Sequence, residues 1–274
     1  MRILVPVKQV AHLQGDATLD GAGVLPAGAL ERSLNEWDAF AVEAALRLLE
    51  DSRESEGEGH GSGEVVLVTV GDEPAEAVLL SCLAMGADRA IRVWDPVLED
   101  ADPLAVAAVL AAVAAVEEPD LILCGAQSSD GANAATGVAL AGLLDLPRAA
   151  VVSGVEGDVV EAGEGAGLIV QRDLEGGAVE VLRITTPSLL TIQTGINQPR
   201  RANLRAIKQA REKPLARLLL SDLNMDAAGL LKAGGSRRVR LLERPRGERA
   251  SMIEGDPGVV AQRIAELVGE AMSS

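Results

Sequence analysis

The segment from Leu121 to Gly137 has the residue types, in the order, that a nucleotide or anion site requires. An apolar run ending at Cys124 is followed by small and polar residues and then by an Ala- and Leu-rich stretch. This pattern predicts a strand, a loop and a helix whose first N–H groups and dipole attract phosphate. Asp130 and the Thr136 hydroxyl lie in that loop and at the helix start. Many α/β proteins turn a strand into a helix with such residues for structural reasons alone, so both interpretations stay open here.

No other segment carries a motif of a known enzyme class. The chain lacks the G-x-G-x-x-G, G-x-x-x-x-G-K-[ST] and G-x-S-x-G patterns. These patterns are the central motifs of Rossmann dehydrogenases, P-loop NTPases and α/β-hydrolases, so their absence argues against all three classes. The adjacent Glu117 and Glu118 precede a proline, which predicts an exposed turn with solvated charge and not an acid–base pair. The sequence therefore predicts no catalytic residue and no enzyme activity of its own.

Cysteine and histidine usage predicts neither a disulfide nor a metal site. Cys82 and Cys124 lie in apolar runs, which favours buried reduced thiols, and His12 and His60 each stand without other ligands nearby. No apolar run is long enough to cross a bilayer, and the chain enters a strand pattern directly after Met1. We expect a cytoplasmic protein without a membrane span.

The charge of the chain is unevenly distributed. Residues 200–250 hold 14 Lys and Arg against 5 Asp and Glu, whereas the rest of the chain holds 11 against 36. A basic segment on an acidic body favours docking of a protein partner, although a solvated basic surface gives the same pattern. Nucleic acid is a poor candidate partner, because this segment has no aromatic residue to stack on bases and the acidic body repels phosphate.

Alternating strand and helix patterns predict the elements that position the segment 121–137. Apolar runs separated by helical periodicity are typical of a parallel sheet with helices on both faces, and such folds bind ligands beyond the carboxyl ends of the strands. The loops after Val7, Val70 and Cys124 should therefore converge. The predicted strands are 2–7, 64–70, 90–94 and 120–124, and the predicted helices are one that begins at Asn35, 73–85 and 103–116.

The second half of the chain departs from this alternation. Consecutive strand patterns without intervening helices indicate that some strands pair antiparallel. These predicted strands are 149–153, 168–172, 178–184 and 188–192.

The residues from Lys213 onward are too thin a segment to form a core. We expect an arm that packs on another surface, with one helix near 259–272. The overall prediction is an α/β fold with a doubly wound, Rossmann-like parallel sheet of the adenine-nucleotide-binding type, antiparallel additions and an extended C-terminal arm. Its two parts are a nucleotide-binding domain, 1–212, and the arm, 213–274.

Several segments, in this order and spacing, resemble a known family. They are Arg2-Ile-Leu-Val-Pro-Val-Lys-Gln, Ser33-Leu-Asn-Glu-Trp-Asp-Ala, Leu83-Ala-Met-Gly-Ala-Asp-Arg-Ala, Gly125-Ala-Gln-Ser-Ser-Asp-Gly, and Arg172-Asp-Leu-Glu-Gly-Gly through Thr186-Pro-Ser-Leu-Leu-Thr-Ile to Asn197-Gln-Pro-Arg200. Over most of residues 1–213 the chain thereby resembles the β subunit of electron transfer flavoprotein.

The resemblance implies a heterodimer with an α subunit that binds FAD, in which the β chain supplies a nucleotide-binding fold and no substrate chemistry. In most members of the family this fold holds AMP, and in flavin-bifurcating members the same pocket holds a second FAD. Carried over by position, the nucleotide contacts fall on Pro6, Asn35, Asp38, Val70, Gly125, Gln127, Ser129, Asp130, Asn133, Ala134, Ala135 and Thr136.

The loop departs from the family pattern just before Thr136. The family usually has polar side chains at the two positions before the threonine, or a second acidic residue in bifurcating members. This chain has Ala132, Asn133, Ala134 and Ala135. Backbone N–H groups at a helix start hold phosphate without help from side chains. We therefore expect AMP in this chain, with a second FAD as the alternative that Ala132 disfavours.

The resemblance also implies a docking loop for partner dehydrogenases. Leu204 matches the family's apolar anchor, and Arg201, Arg205 and Lys208 would steer an acidic partner, an acyl-CoA or other flavin dehydrogenase. A Leu204 that only packs its own helix is the alternative.

Trp37 matches an aromatic residue near the α-subunit flavin, and a plain core role is its alternative. Electrons would pass on to a downstream quinone oxidoreductase.

A function of a different class stays open at this point. A free-standing nucleotide-binding protein of the stress or sensor type has the same α/β architecture and needs no flavin partner. Such a protein has no use for a thin arm that must bury itself elsewhere, so the residues after Lys213 favour the electron carrier.

Overall fold

A central parallel sheet with helices on both faces forms the body of the molecule. The computed structural model describes residues 1–15, 18–20, 25–26, 28–56, 63–156, 167–227, 230, 250 and 252–273. The strands are β1 (Arg2–Pro6), β2 (Gln9–Leu13), β3 (Leu30–Leu34), β4 (Glu64–Val70), β5 (Arg89–Val93), β6 (Leu121–Gly125), β7 (Arg148–Val152), β8 (Gly154–Glu156), β9 (Leu168–Asp173), β10 (Val179–Ile184), β11 (Ser188–Ile192) and β12 (Leu215–Leu218). The helices are α1 (Glu36–Glu56), α2 (Glu76–Met85), α3 (Pro103–Glu117), α4 (Thr136–Leu143), α5 (Leu204–Ala210) and α6 (Pro257–Ser273).

The large sheet is doubly wound about β1. Its strand order is β12-β5-β4-β1-β6-β11-β7, and every neighbouring pair is parallel. From β1 the chain proceeds outward through β4 and β5 and then returns to β6 on the other side of β1. Ile3 of β1 accordingly lies opposite Val65 on one side and Leu121 on the other. The point where the winding reverses, between β1 and β6, is where such folds bind ligands.

Both faces of this sheet are covered, which is why its strands are almost uninterrupted apolar runs. Alternate residues of β1 point to opposite faces: Ile3 and Val5 belong to the buried cluster that includes α1, α2 and α5, whereas Leu4 belongs to the cluster that includes α3 and α4. A three-stranded antiparallel sheet, in the order β10-β9-β8, and a β2–β3 hairpin complete the described fold.

The predicted α/β fold with antiparallel additions is confirmed, and the predicted strands of the large sheet end within one or two residues of the observed ones. The pattern missed three short elements, β8, α5 and β12. Strand β12 pairs with β5, so the large sheet extends beyond residue 212, the predicted end of the first domain. The packing of the arm 213–274 on a partner stays a prediction. Its residues 228–229, 231–249, 251 and 274 lie outside the described part of the chain.

The expectation of solvated charge at Glu117 is wrong. The Arg89 guanidinium donates to Glu117 at 2.5 Å and to Glu64 at 3.0 Å, and Arg2 also pairs with Glu64 at 2.6 Å. Glu117 is the last residue of α3, and its side chain is only 14% exposed. The pairing joins residues far apart in sequence, at the amino ends of β1, β4 and β5, which a local pattern does not reveal. Glu118 next to it is exposed, as expected.

Candidate functional site

A cavity of about 210 Å³ lies beyond the carboxyl ends of β1 and β6, at the point where the winding reverses. The loop after β1, the start of α1, the end of β4, the start of α3 and the β6–α4 loop all reach it. The described residues that line it are Pro6, Val7, Lys8, Asn35, Asp38, Val68, Val70, Ala101, Pro103, Val106, Leu110, Cys124, Gly125, Ala126, Gln127, Ser128, Asn133, Ala134, Ala135, Thr136 and Gly137.

Asn35 holds the β6–α4 loop in place. It precedes α1 and is buried, and its side-chain amide donates to the Gln127 carbonyl at 2.8 Å. Its side-chain oxygen accepts from the N–H of Ser129 at 3.2 Å. These two hydrogen bonds resemble those that a neighbouring strand would make. The Asn35 side chain thus supplies hydrogen-bond partners to the Gln127 carbonyl and the Ser129 N–H, beyond the end of the sheet.

Asp38 joins the ends of β1 and β6 beneath the cavity. Its carboxylate accepts from the Lys8 N–H at 2.7 Å and from the Gly125 N–H. Burial raises the pKa of Asp38 to about 7, although the hydrogen bond from the Lys8 backbone acts in the opposite direction. A methyl group at Gly125 would overlap the Asp38 carboxylate, so β6 must end in glycine to allow this contact. Asp38 therefore titrates near neutral pH.

The start of α4 offers free backbone N–H groups to the cavity. The residue that precedes the helix is Ala135, which has no polar side chain to cap it. The chain reaches α4 through left-handed backbone at Ala132 and Ala134, with φ of 48° and 49°, and then a right-handed Ala135. Such reversals turn successive N–H groups toward one point and make a concave anion site.

Gly137 allows α4 to lie close to the sheet. A Cβ there would come within 2.7 Å of the Thr191 side chain and 3.2 Å of the Cys124 Cβ. The first turn of α4 therefore rests directly on β11 and β6, at the edge of the cavity. Thr136, half-buried beside it, is one of the residues that line the cavity.

Helix α3 supplies the apolar wall of the cavity. Pro103, Val106 and Leu110 follow one another at the spacing of one helix face and line the cavity together with Val70 and Cys124. An apolar wall and a helix start in one cavity suit a ligand with a flat apolar ring and an anionic end.

A second exposed feature is the start of α5, on the face of the sheet that carries α1 and α2. Leu204 is the first residue of this helix and is 80% exposed, and Ile207, one turn later, is 44% exposed. The Asn203 side chain caps the helix by accepting from the Ala206 N–H at 2.9 Å. Leu204 is therefore mostly exposed to solvent, and its part in docking stays a prediction.

Comparisons with known proteins decide the family. The model of the electron transfer flavoprotein domain matches residues 24–223. The electron transfer flavoprotein β subunit of Methylophilus methylotrophus is 40% identical over 271 residues, which cover 98% of each chain. Those of Bradyrhizobium diazoefficiens and Bacillus subtilis are 35% and 31% identical over 272 residues, covering 98% of this chain and 97% of each relative.

The chain belongs to the β subunits of the electron transfer flavoprotein family.

The structure of this electron transfer flavoprotein β subunit brings most of the predicted nucleotide contacts to one cavity. Ser129 and Asp130 lie beside it, on the loop, and do not line it. The predicted contacts that line the cavity are Pro6, Asn35, Asp38, Val70, Gly125, Gln127, Asn133, Ala134, Ala135 and Thr136. Their part in binding a nucleotide stays a prediction.

Trp37 lies on α1 between Asn35 and Asp38 but outside the cavity. It is half-buried, and its indole N–H donates to the Gln193 side chain at 3.2 Å. This side of α1 faces the segment that follows β11, where Asn197 donates to the Phe40 carbonyl at 3.0 Å. Part of the Trp37 ring is thus open to solvent, so Trp37 is not a fully buried core residue.

Sequence reasoning missed Lys8 and Ile207 in this electron transfer flavoprotein β subunit. Lys8 is the one Lys or Arg among the described lining residues, and Ile207 enlarges the apolar tip at Leu204. The resemblance motif contained Lys8, but a lysine after a strand indicates only a solvated charge. Ile207 lies in a seven-residue helix too short for a clear periodic signal.

Two expected absences concern only the described residues. Within the described ranges, no group of three or more His, Cys, Asp or Glu residues is placed to hold a metal ion. Among the helices that the structure describes, none is long and apolar enough to cross a membrane.

Proposed function

We propose that this chain is the β subunit of a heterodimeric electron carrier, which accepts electrons from dehydrogenases and passes them to a downstream acceptor such as a quinone oxidoreductase. Its proposed partner is an electron transfer flavoprotein α subunit that holds FAD at their shared face, in the cytoplasm. FAD, when bound, supplies the one- and two-electron chemistry. The β chain contributes position, electrostatics and docking, and it performs no substrate chemistry.

The cavity beyond β1 and β6 is the observation that carries the nucleotide part of the proposal. We assign AMP to it, with the phosphate at the start of α4 near Thr136 and the purine against the α3 wall at Val106 and Leu110. Free N–H groups and the helix dipole favour the phosphate, and the apolar wall favours the ring. Lys8 supplies a positive charge at the edge.

A second FAD in this cavity, as in flavin-bifurcating members, is the less favoured ligand. The second acidic residue of that type is replaced by Ala132, whose side chain has no polar group to bind a ligand.

We assign contact with the partner's flavin to Trp37 and packing on the partner subunit to the C-terminal helix α6. Trp37 is half-buried at the end of the molecule that carries the cavity. In α6, Val259, Ile264, Val268 and Met272 are all at least 49% exposed, and most of them recur at helical spacing. A helix face of this kind requires a covering surface, and a partner subunit supplies one.

The exposed tip of α5 is the proposed docking site for acyl-CoA or other flavin dehydrogenases. Leu204 and Ile207 form its apolar centre, and Arg201, Arg205 and Lys208 around it are exposed. One apolar anchor on a basic rim binds a small pocket reversibly and attracts an acidic partner from a distance. That combination suits a carrier that must exchange partners quickly.

The experiment that tests this function is to purify the chain after co-expression with its candidate α subunit and to quantify the nucleotides released on denaturation. One FAD and one AMP per heterodimer would support the proposal. Two FAD and no AMP per heterodimer would instead place the chain among the flavin-bifurcating members. The absence of any complex would contradict the carrier function and favour a free-standing nucleotide-binding protein.

A further inference from the structure

An ion pair joins the two sides of the cavity at its mouth. The Lys8 ammonium, on the loop after β1, lies 2.6 Å from the Asp130 carboxylate and 3.2 Å from the Ser128 hydroxyl, both on the β6–α4 loop. Lys8 and Ser128 line the cavity, whereas Asp130 lies outside it. The pair therefore bridges the two loops on a partly exposed side of the cavity, since the Lys8 and Asp130 side chains are 50% and 25% exposed.

The backbone on the Lys8 side of this bridge is fixed. The Lys8 N–H donates to buried Asp38 at 2.7 Å, and the Lys8 carbonyl accepts from the Asn35 N–H at 3.0 Å. Both polar groups of the Lys8 main chain are thus held by the start of α1, so the direction in which its side chain leaves the backbone is fixed.

The backbone on the Asp130 side is fixed as well. Asn35 binds the loop at Gln127 and Ser129, and the Ser128 hydroxyl and carbonyl accept from the next N–H groups along the loop, at Gly131 (3.3 Å) and Ala132 (2.9 Å). An ion pair between two anchored backbones loses less conformational freedom on forming than one between mobile chains.

We propose that Lys8 and Asp130 form a latch that retains the nucleotide, an inference that rests on the nucleotide site proposed above. The latch is closed while the ion pair spans the mouth, and the pair must break before the ligand leaves. Lys8 is in this sense a retention residue, and its partner is Asp130 and not the phosphate.

A simple electrostatic role for Lys8 gives a different expectation. If Lys8 only attracted the phosphate, Asp130 would oppose binding by repulsion and by competing for the ammonium. Removing the Asp130 charge would then slow release of the ligand. The latch requires the opposite result, because both Lys8→Met and Asp130→Asn break the bridge.

The experiment measures release of radiolabelled AMP from the complex with the α subunit, during a chase with excess unlabelled AMP. We expect Lys8→Met and Asp130→Asn each to release AMP up to about fivefold faster, the upper end of the range for one exposed ion pair. The charge-swapped double variant Lys8→Asp/Asp130→Lys should return the rate to within about twofold of the parent. Arg32→Met is the control, because Arg32 and Asp72 form a similarly exposed pair at 3.4 Å that does not line the cavity.

Slower or unchanged release from Asp130→Asn would overturn the latch, and so would a charge-swapped variant that releases AMP as fast as the single variants. A parent complex that holds no AMP would overturn the nucleotide site and the latch with it. A parent that holds AMP, with unchanged release from Lys8→Met, would overturn the latch alone.

Discussion

The buried carboxyl of Asp38 should make the stability of this chain depend on pH in an unusual direction. Burial raises the pKa of Asp38 from 3.8 to about 7 in the folded chain. This difference of about 3 pKa units corresponds to about 4 kcal/mol of folding free energy. Because the folded pKa exceeds the unfolded one, the contribution is fully present below pH 3.8 and is lost as the pH rises through about 7.

The variant Asp38→Asn isolates this effect. Relative to the parent, its free energy of unfolding should increase by about 4 kcal/mol between pH 4 and pH 8, because asparagine does not ionise. A pH-independent loss of about 1–2 kcal/mol is superimposed, since an amide oxygen and an NH₂ group cannot together accept the Lys8 and Gly125 N–H groups. The assay is urea unfolding at several pH values, interpreted only where both chains have the same m-value.

A matched control has the opposite sign. Burial raises the pKa of Asp130, but hydrogen bonds from Lys8 and Ser128 outweigh it, so the pKa lies below its usual value. Asp130→Asn should therefore become less stable relative to the parent as the pH rises toward 3.8 from below, and the difference should stay constant at higher pH. A parent-to-Asp38→Asn difference that does not change with pH would refute the reasoning. So would a ¹³C carboxyl resonance, absent in Asp38→Asn, that titrates near pH 4.

Four further predictions follow from other contacts. Leu204→Ala should slow electron transfer from partner dehydrogenases about tenfold without release of flavin, and unchanged stopped-flow kinetics would remove Leu204 from docking. Thr136→Val should weaken AMP retention about fivefold, which equal AMP content in variant and parent after denaturation would contradict. Gly125→Ala should cost about 1–3 kcal/mol in urea unfolding, because its methyl group overlaps Asp38, and an unchanged midpoint would exclude that overlap. Hydrogen bonds from Arg89 lower the pKa of Glu64 to about 2. Glu64→Gln should therefore lower the free energy of unfolding by at most about 3 kcal/mol above pH 4.5 and leave it unchanged near pH 2. An equal loss of stability at both pH values would rule this out.

The interior of the large sheet was predictable because its central strands are buried on both faces. Strands such as β4, which is apolar from Val65 to Val68, leave a continuous signal that needs no knowledge of their neighbours. Strand β12 leaves none, since its four residues include Arg217, which pairs with Glu76, and its place at the sheet edge depends on pairing with β5. Local pattern thus predicts the interior of a sheet better than its edge.

The residues of the candidate site also differ in whether local sequence pattern could predict them. Residues at strand ends and helix starts, such as Gly125 and Thr136, were predictable because their positions follow from the winding of the chain. The α3 wall was not: the periodicity predicts the helix, but which of its faces meets the cavity depends on α3 crossing from β5 back to β6. Lys8 was missed for a related reason, because its charge gains a partner only when the β6–α4 loop folds beside it.

The two proposed activities of this chain rest on opposite faces of one sheet, and this arrangement makes them separable. Helix α5 packs with α2 on one face through buried Ala210, whereas Thr136 begins α4, which packs on the other face. Among the described residues, the tip of α5 and the start of α4 therefore lie on different faces of the sheet, so we expect a substitution at one to leave the other undisturbed. Effects at such independent sites add. The double variant Leu204→Ala/Thr136→Val should show the docking defect of the first and the AMP loss of the second, each at its single-variant size. If either defect grew in the double variant, the sheet would have to transmit a change between its faces, which its closely packed core gives no reason to expect.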